Sequence, residues 1–484
     1  MSENLMNPCL IRVSGVRSLS ELLKHDYVSS MSVLRQEYSV QMLAADAGDG
    51  YMDLRLLNQQ HAYQEVCSFW DKHCQGEDEQ PWQEWDYVFA MTALYRMKRY
   101  EDCLQLYREF HHAYPSSSLL DDRMGWAVYH VHLKGHDFKQ GDNARYLKQV
   151  DFVLHHGKQG PYSPVALIIG QVVRAILSGW IGQKIDYQRA NDYLDYLDSK
   201  KLLQEERTYQ QDDGKVRRLA SEQEKWYAYK SKSLLKLKQY DACISCCDQA
   251  LAVIRHFHSN NDVWIPLRKI ESLIALKRTA DAKAALGHLL QGPARHWKID
   301  MLGYRVAVME NDKDAALKHI GAAALMDPNH GMRVQFYEET ASFLSAAGYE
   351  RMAMLQYHLI DLLREENGWK IRPHHFSGTI PEDIAAMDKQ ATLRELRDFW
   401  RAQRDKDKVF LEGQVKKILP SGRSGFIDAA DGKSYYFSFA DVQSGRKRLT
   451  EGSSVRFTLT KRMDCKKNRL SDNAVEITVE QDRT

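Results

Sequence analysis

Proline is scarce in this chain, 11 in 484 residues, which leaves room for long uninterrupted helices and excludes a proline-rich stalk. No sign of charge dominates either. Lys and Arg number 67 against 65 Asp and Glu, a net charge of +2. The chain as a whole is therefore no generic polyanion binder, and any such site must rest on local charge. The N-terminus has no basic stretch followed by an apolar run, which argues against a secretory signal. One long apolar segment exists, Val165 to Ile181, but Gln171 and Arg174 interrupt it. It reads as a buried helix rather than a membrane span. Eight cysteines without a secretory signal read as reduced thiols in a cytoplasmic protein. Only Cys243, Cys246 and Cys247 cluster, and no second Cys-x-x-Cys completes a metal set. Packing between helices is their expected role.

Catalytic signatures are also missing. There is no Gly-x-x-x-x-Gly-Lys-Ser/Thr, no His-Glu-x-x-His and no Gly-x-Ser-x-Gly. Histidines come in adjacent pairs, His111-His112, His155-His156 and His374-His375. Adjacent helical residues point about 100° apart, so each pair is a poor shared metal site. The expectation is a protein without enzymatic activity, cofactor or metal.

What is present is length and repetition. A chain of 484 residues exceeds one compact core. Residues 1–80 carry a helical apolar rhythm, Leu19, Leu22, Leu23, then Val33, Leu34, Met42 and Leu43, with a turn at Ala47-Gly48-Asp49-Gly50. They read as an N-terminal helical cap or degenerate repeats. Residues 81–370 alternate helical segments with short breaks. The breaks fall at Lys98-Arg99-Tyr100, Lys238-Gln239-Tyr240, Lys277-Arg278-Thr279, Asn311-Asp312-Lys313 and Ala347-Gly348-Tyr349. The later breaks recur at about 34 to 36 residues. Residues 204–224 are polar and charged and read as an inserted loop or a solvated helix extension. Residues 371–408 form a charged linker and capping helix, with Leu393, Leu396, Phe399 and Trp400 on one face and Arg394, Arg397, Arg401 and Arg404 on the solvated one.

Tyr100, Cys103, Tyr107 and Pro115 set an aromatic, a small residue, a large residue and a closing proline in order. Tyr240, Cys243 and Ala250 follow the same scheme, as do Lys313, Ala316, Ile320, Ala323 and Pro328. This spacing resembles the second helix of the tetratricopeptide repeat. The first-helix tryptophan, leucine and glycine of that family are mostly absent here. The resemblance implies stacked helix pairs that bury their apolar faces on one another and offer a surface to a protein partner. By the same analogy Lys225, Lys232 and Lys236 fall on the groove side, where an acidic peptide or phosphates would fit. Ordinary solvation is their other reading.

From residue 409 the pattern changes. Residues 409–484 hold short β-like runs at Phe410–Val415, Ser424–Ile427, Tyr435–Phe439, Val455–Leu459 and Ala474–Val479. Alternation puts Tyr435 and Phe437 inside and Tyr436 and Ser438 outside, with Phe426 sharing a face with Ser424 and Asp428. Here 14 Lys and Arg stand against 10 Asp and Glu. Gly422-Arg423-Ser424-Gly425-Phe426-Ile427 and Tyr435-Tyr436-Phe437-Ser438-Phe439 resemble the two nucleic-acid motifs of the cold-shock domain, a small OB-type barrel. The resemblance implies bases of a single strand stacked on Phe426, Tyr436 and Phe439, with Lys416, Lys417, Arg423 and Lys433 near the phosphates. The chain departs from that family where Lys417 and Ile418 replace a Trp and a Phe, and where Ser424 and Ser438 replace an aromatic and a His. Weaker, more charge-dependent binding is expected.

The fold class expected is thus mostly α, a tetratricopeptide-like solenoid with a small C-terminal all-β barrel. The expected function is an adaptor, with single-stranded RNA ahead of DNA on the barrel, a protein on the solenoid, self-association open, and no membrane. The other reading is a protein-only scaffold, a regulatory subunit in stress response or defence, with the barrel as a docking module.

Overall fold

The structure is a computed structural model. It describes residues 52–479 apart from 78–80, 162, 211–215, 293–295, 327–329, 372, 374–378, 445–448 and 465–468. The rhythm at Leu19 to Leu43, the turn at Ala47–Gly50 and the pair His374-His375 lie outside the described residues. The chain divides into two compact units, one up to Leu276 and one from Lys277.

The first unit is built of helices α1 (Met52–Gln59), α2 (Tyr63–Gln75), α3 (Glu84–Arg96), α4 (Tyr100–Ala113), α5 (Asp121–Val128), α6 (Asn143–His156), α7 (Val165–Leu177) and α8 (Tyr187–Asp195). A short hairpin follows, β1 (Arg207–Gln210) with β2 (Val216–Leu219), then α9 (Glu222–Lys236), α10 (Tyr240–Val253) and α11 (Asn261–Ala275). Apolar residues at helical spacing explain the packing. In α4 Cys103, Leu106, Tyr107 and Phe110 are buried, an i, i+3, i+4, i+7 stripe. In α7 Val165, Ile168, Ile169, Val172, Val173 and Ile176 are buried. The apolar segment expected to be a buried helix is one. Among the described residues no helix is long and apolar enough to cross a membrane.

The breaks between paired helices share one conformation. Lys98, Lys238, Lys277, Asn311 and Gly348 all adopt positive φ, between 57° and 85°. After each of four of them the next amide reaches back across the turn. Arg99 N–H donates to the Leu94 carbonyl at 2.9 Å, Gln239 to Leu234 at 2.9 Å, Asp312 to Ala307 at 2.9 Å and Tyr349 to Leu344 at 2.8 Å. This left-handed closure satisfies carbonyls that the helix end leaves open and turns the chain into the second helix.

Within residues 204–224, expected as a loop or helix extension, two short strands pair as a hairpin, Arg207 with Leu219 and Gln210 with Val216, and only Glu222 to Glu224 belong to a helix, the start of α9. The residues that join the two strands, 211–215, lie outside the described residues. Glu224 is not solvated either. It is 1% exposed and accepts hydrogen bonds from the His258 backbone N–H (2.7 Å) and Asn261 Nδ2 (2.8 Å), with His258 Nδ1 at 2.9 Å.

The second unit holds α12 (Thr279–Gln291), α13 (Trp297–Met309), α14 (Lys313–Leu325), α15 (Val334–Ala346), α16 (Glu350–Glu366), α17 (Glu382–Ala385) and α18 (Lys389–Asp405). The α18 helix lies on α14 and α16. Leu393, Leu396 and Trp400 are buried as expected, and Phe399 packs on Tyr349 with ring centroids 5.3 Å apart. Gly321 on α14 makes the approach possible, because a Cβ there would collide with the Trp400 carbonyl oxygen. Arg404 is not on a solvated face. It is half-buried and donates to Asp405 at 2.6 and 2.7 Å.

Strands β3 (Leu411–Ile418), β4 (Ser424–Ala429), β5 (Ser434–Ser438), β6 (Val442–Ser444), β7 (Ser454–Asp464) and β8 (Arg469–Val479) complete this unit. β3, β4 and β5 form an antiparallel meander, β7 pairs β3, and β7 and β8 form a long hairpin. β8 then closes on β5 in parallel, so the ring runs β3-β4-β5-β8-β7. The short β6, which the sequence pattern does not reveal, adds in parallel to the end of β8. The core holds Val415, Ile427, Phe437, Val455, Phe457, Ala474 and Ile477. The fold class is therefore mostly α, in tetratricopeptide-like helix pairs, with a five-strand closed barrel at residues 411–479.

Candidate nucleic-acid interface

The barrel's outer face is set by strand alternation. Along β5, Tyr435 and Phe437 are buried and Tyr436 is 39% exposed. Along β4, Ile427 is buried, Phe426 half-buried and Asp428 exposed. Phe426 and Tyr436 are direct cross-strand partners, and Lys417 sits opposite Phe426 on β3. The two rings meet edge to face, centroids 5.7 Å apart and planes at 72°. Such pairs hold each other's orientation, leaving aromatic surface to solvent. Gly425 keeps this part of β4 close, since a Cβ there would meet the Phe437 ring at 2.6 Å.

The row continues around the barrel. Tyr436 neighbours Asn473 on β8, and Asn473 faces Thr460 on β7. One step along, Arg462 donates to both carboxylate oxygens of Asp441, at 2.7 and 2.9 Å. The Asp441 carboxylate holds the Arg462 guanidinium above its ordinary range. On the other side of the row lies a second polar group. Lys416 is 3.0 Å from the Asp428 carboxylate and 3.3 Å from Ser434 Oγ, and Ser434 also donates to Asp428. The Ser434 hydroxyl, then the Lys416 ammonium, holds the Asp428 carboxyl below the usual range. Tyr435 donates its hydroxyl to Asp431 at 2.5 Å, which pushes its own pKa up to about 12.

The residues picked from sequence thus divide. Lys417, Phe426 and Tyr436 are brought into one row. Lys416 is one position away, at the β-bulge that sets Lys417 against Phe426, and its charge is engaged by Asp428. Arg423 and Lys433 are exposed in the turns that flank β4. Lys417, Arg423 and Lys433 make no side-chain ion pair among the described residues. Phe439 stands apart, half-buried in a 3-10 turn with its ring 5.6 Å from that of Phe437, packed on the core. Sequence reasoning missed Asn473 and the Arg462–Asp441 pair. Only the parallel closure of β8 on β5 brings Asn473 beside Tyr436, and no local pattern encodes it. Arg446-Lys447-Arg448 and Lys466-Lys467 lie outside the described residues.

In the helical unit, Lys225, Lys232 and Lys236 share α9 with Tyr229 at i, i+4, i+7 and i+11 spacing. Lys225 and Lys232 are half-buried and Lys236 is exposed. Burial, with the Arg268 and Lys236 charges nearby, holds the Lys232 ammonium below its ordinary range. Arg268 is itself largely enclosed and donates to the Ala228 carbonyl and Ser231 Oγ, both at 3.0 Å. Cys243 and Cys247 are fully buried and Cys246 nearly so, and burial pushes the Cys246 thiol up to about 12. They pack between helices. His111 and His156 come together across α4 and α6, centroids 5.2 Å apart, with His155 adjoining.

No family model matches the chain, and no curated protein matches it. A solved structure of PilF from Pseudomonas aeruginosa aligns with 51% of this chain and 92% of that one, at 13% identity and a TM-score of 0.26. A likeness that low adds nothing to the helix pairing seen directly in this chain.

Proposed function

We propose that this protein is a non-enzymatic adaptor. Its barrel binds single-stranded nucleic acid, RNA ahead of DNA, and its helix pairs hold a protein partner. The observation that carries the reading is the Phe426–Tyr436 pair on the outer face of adjacent strands, with Lys417 beside it. Bases of a single strand recover about 1–3 kcal/mol each by stacking on such rings, whatever their sequence. The five-strand ring with a parallel closing pair suits the OB-type resemblance drawn from the motifs, a barrel class that binds oligonucleotides over its second and third strands. Lys417, Arg423 and Lys433 would supply phosphate contacts, which makes binding salt-dependent. A cytoplasmic setting fits the cysteine usage.

A second reading has one observation behind it. Asp428 and Asp441 set carboxylates on either side of the aromatic row and engage Lys416 and Arg462. A face of mixed charge suits protein docking as well. Fluorescence anisotropy of the full chain with labelled single-stranded RNA and DNA, at low and moderate salt, separates the two. Salt-sensitive binding lost on Phe426→Ala/Tyr436→Ala supports the nucleic-acid reading. No binding at tens of micromolar in low salt makes the barrel a docking module.

A further inference from the structure

We propose that Lys232 and Arg268, with Arg174 beside Tyr229, form a face that takes a short acidic segment of the partner protein. This rests on the protein-holding half of the reading above and deepens it, by naming the chemistry of what is held.

The placement comes from three helices that lie side by side. α9 packs on α7 to one side and on α11 to the other. The charge of Arg174 on α7 acts on the half-buried Tyr229 of α9, and its guanidinium lies 6.0 Å from the Trp180 ring. Lys232 and Lys236 follow Tyr229 along α9. Arg268 of α11 reaches across to α9, where it donates to the Ala228 carbonyl and Ser231 Oγ, both at 3.0 Å. Those two bonds fix its charge close to Lys232.

The chemistry comes from charge that is not answered. Neighbouring cations on the same helices have carboxylate partners. Lys230 lies 2.5 Å from Asp195, and Lys269 lies 2.6 Å from Asp248. Arg174, Lys232, Lys236 and Arg268 make no ion pair among the described residues. Burial, then the Arg268 and Lys236 charges, hold the Lys232 ammonium below its ordinary range, and no carboxylate is among the influences on it. A half-buried cation pressed against like charges is costly to leave so. Acidic side chains entering here would supply the missing counter-charge. Adjacent helix axes lie about 8–10 Å apart, a step that an extended peptide covers in about three residues. Glu271 limits the patch, since it acts on Arg268 from one turn along α11 without an ion pair. A strand with a charge on every unit would run against that carboxylate, whereas a peptide with spaced acids avoids it.

The test uses the full chain and a labelled peptide of about ten residues with Glu at every third position, beside its Gln counterpart, in an anisotropy assay. The Glu peptide should bind the wild type tighter by about tenfold. Lys232→Gln should remove most of that margin and still melt at or above the wild-type temperature, because it relieves the like-charge crowding. A lysine that only solvates its helix would leave the margin intact. Lys232→Glu, which gives Arg268 a partner, should bind the Glu peptide more weakly than the Gln one. Equal binding of the two peptides by the wild type, or a margin that both variants keep, overturns the assignment and leaves the protein-holding reading standing. Binding of neither peptide at about 1 mM overturns both. Single-stranded RNA held by the Phe426→Ala/Tyr436→Ala chain and released by adding Lys232→Gln makes this face a phosphate site and overturns the peptide assignment.

Discussion

Lys408 Nζ lies 2.5 Å from Glu476 Oε2, joining the chain just past α18 to β8 of the barrel. Glu476 has a left-handed backbone, φ 54°, at a point where the β7–β8 register shifts. Lys408 also reaches Asp405 at 3.1 Å, and Asp405 is held by Arg404. The pair is only partly exposed, so removing one charge strands the other. Lys408→Met should destabilise the second unit by about 1–3 kcal/mol. Urea unfolding followed by tryptophan fluorescence, set against Lys406→Met as an exposed control, checks it.

The left-handed turns give a prediction of opposite signs. Lys98 and Lys238 hold φ near 61° at positions where Gly348 holds 85°. Lys238→Gly removes the Cβ penalty and should stabilise by about 0.5–1 kcal/mol, whereas Gly348→Ala should destabilise by at least as much. Thermal melts of the two variants should move in opposite directions.

The aromatic row and the turn cations should be separable by salt. Tyr436→Ala should lower single-strand affinity by about tenfold at every salt concentration, since stacking is uncharged. Lys417→Gln should cost less at high salt than at low and reduce the salt slope by about one ion. Plots of log affinity against log salt should be parallel to wild type for the first variant and shallower for the second.

The histidines predict a pH dependence. Burial, with His155 and His111 alongside, holds the His156 ring below the ordinary histidine range, while Asp121 pulls the other way. Burial and Arg145 do the same to His132, against Glu101. The unfolded chain therefore takes up these protons first. Stability from this source is complete above about pH 6.5 and declines as the pH drops from there through the folded values. Melting temperature should fall between neutral pH and about pH 5, and His156→Gln should make that fall shallower.

How far the sequence reached depends on the range of the interaction. The helix-pair breaks at Lys98, Lys238, Asn311 and Gly348 are closed by contacts within six residues, so a local pattern reveals them. The inward and outward sides of β4 and β5 follow from period-two alternation, which placed Phe426 and Tyr436 on one face. Charge misled at Glu224 and Arg404, because partners from other parts of the chain or one residue on made those ions half or wholly buried. The hairpin at Arg207–Leu219 hid its strand period under polar side chains. Phe439 sits in a turn, where strand alternation no longer applies, and its ring goes to the core. Asn473 needed the closing pair of the barrel, which joins segments 37 residues apart.

That closing pair also limits how the barrel can be approached. Because β8 bonds to β5, the central strands of the ring have both main-chain sides occupied. A partner peptide cannot extend this sheet by adding a strand across the closed seam. Whatever settles on Phe426 and Tyr436 meets side chains there and not an open strand edge. Changing one of those side chains can then retune what is held without disturbing the main-chain bonds that keep the barrel shut.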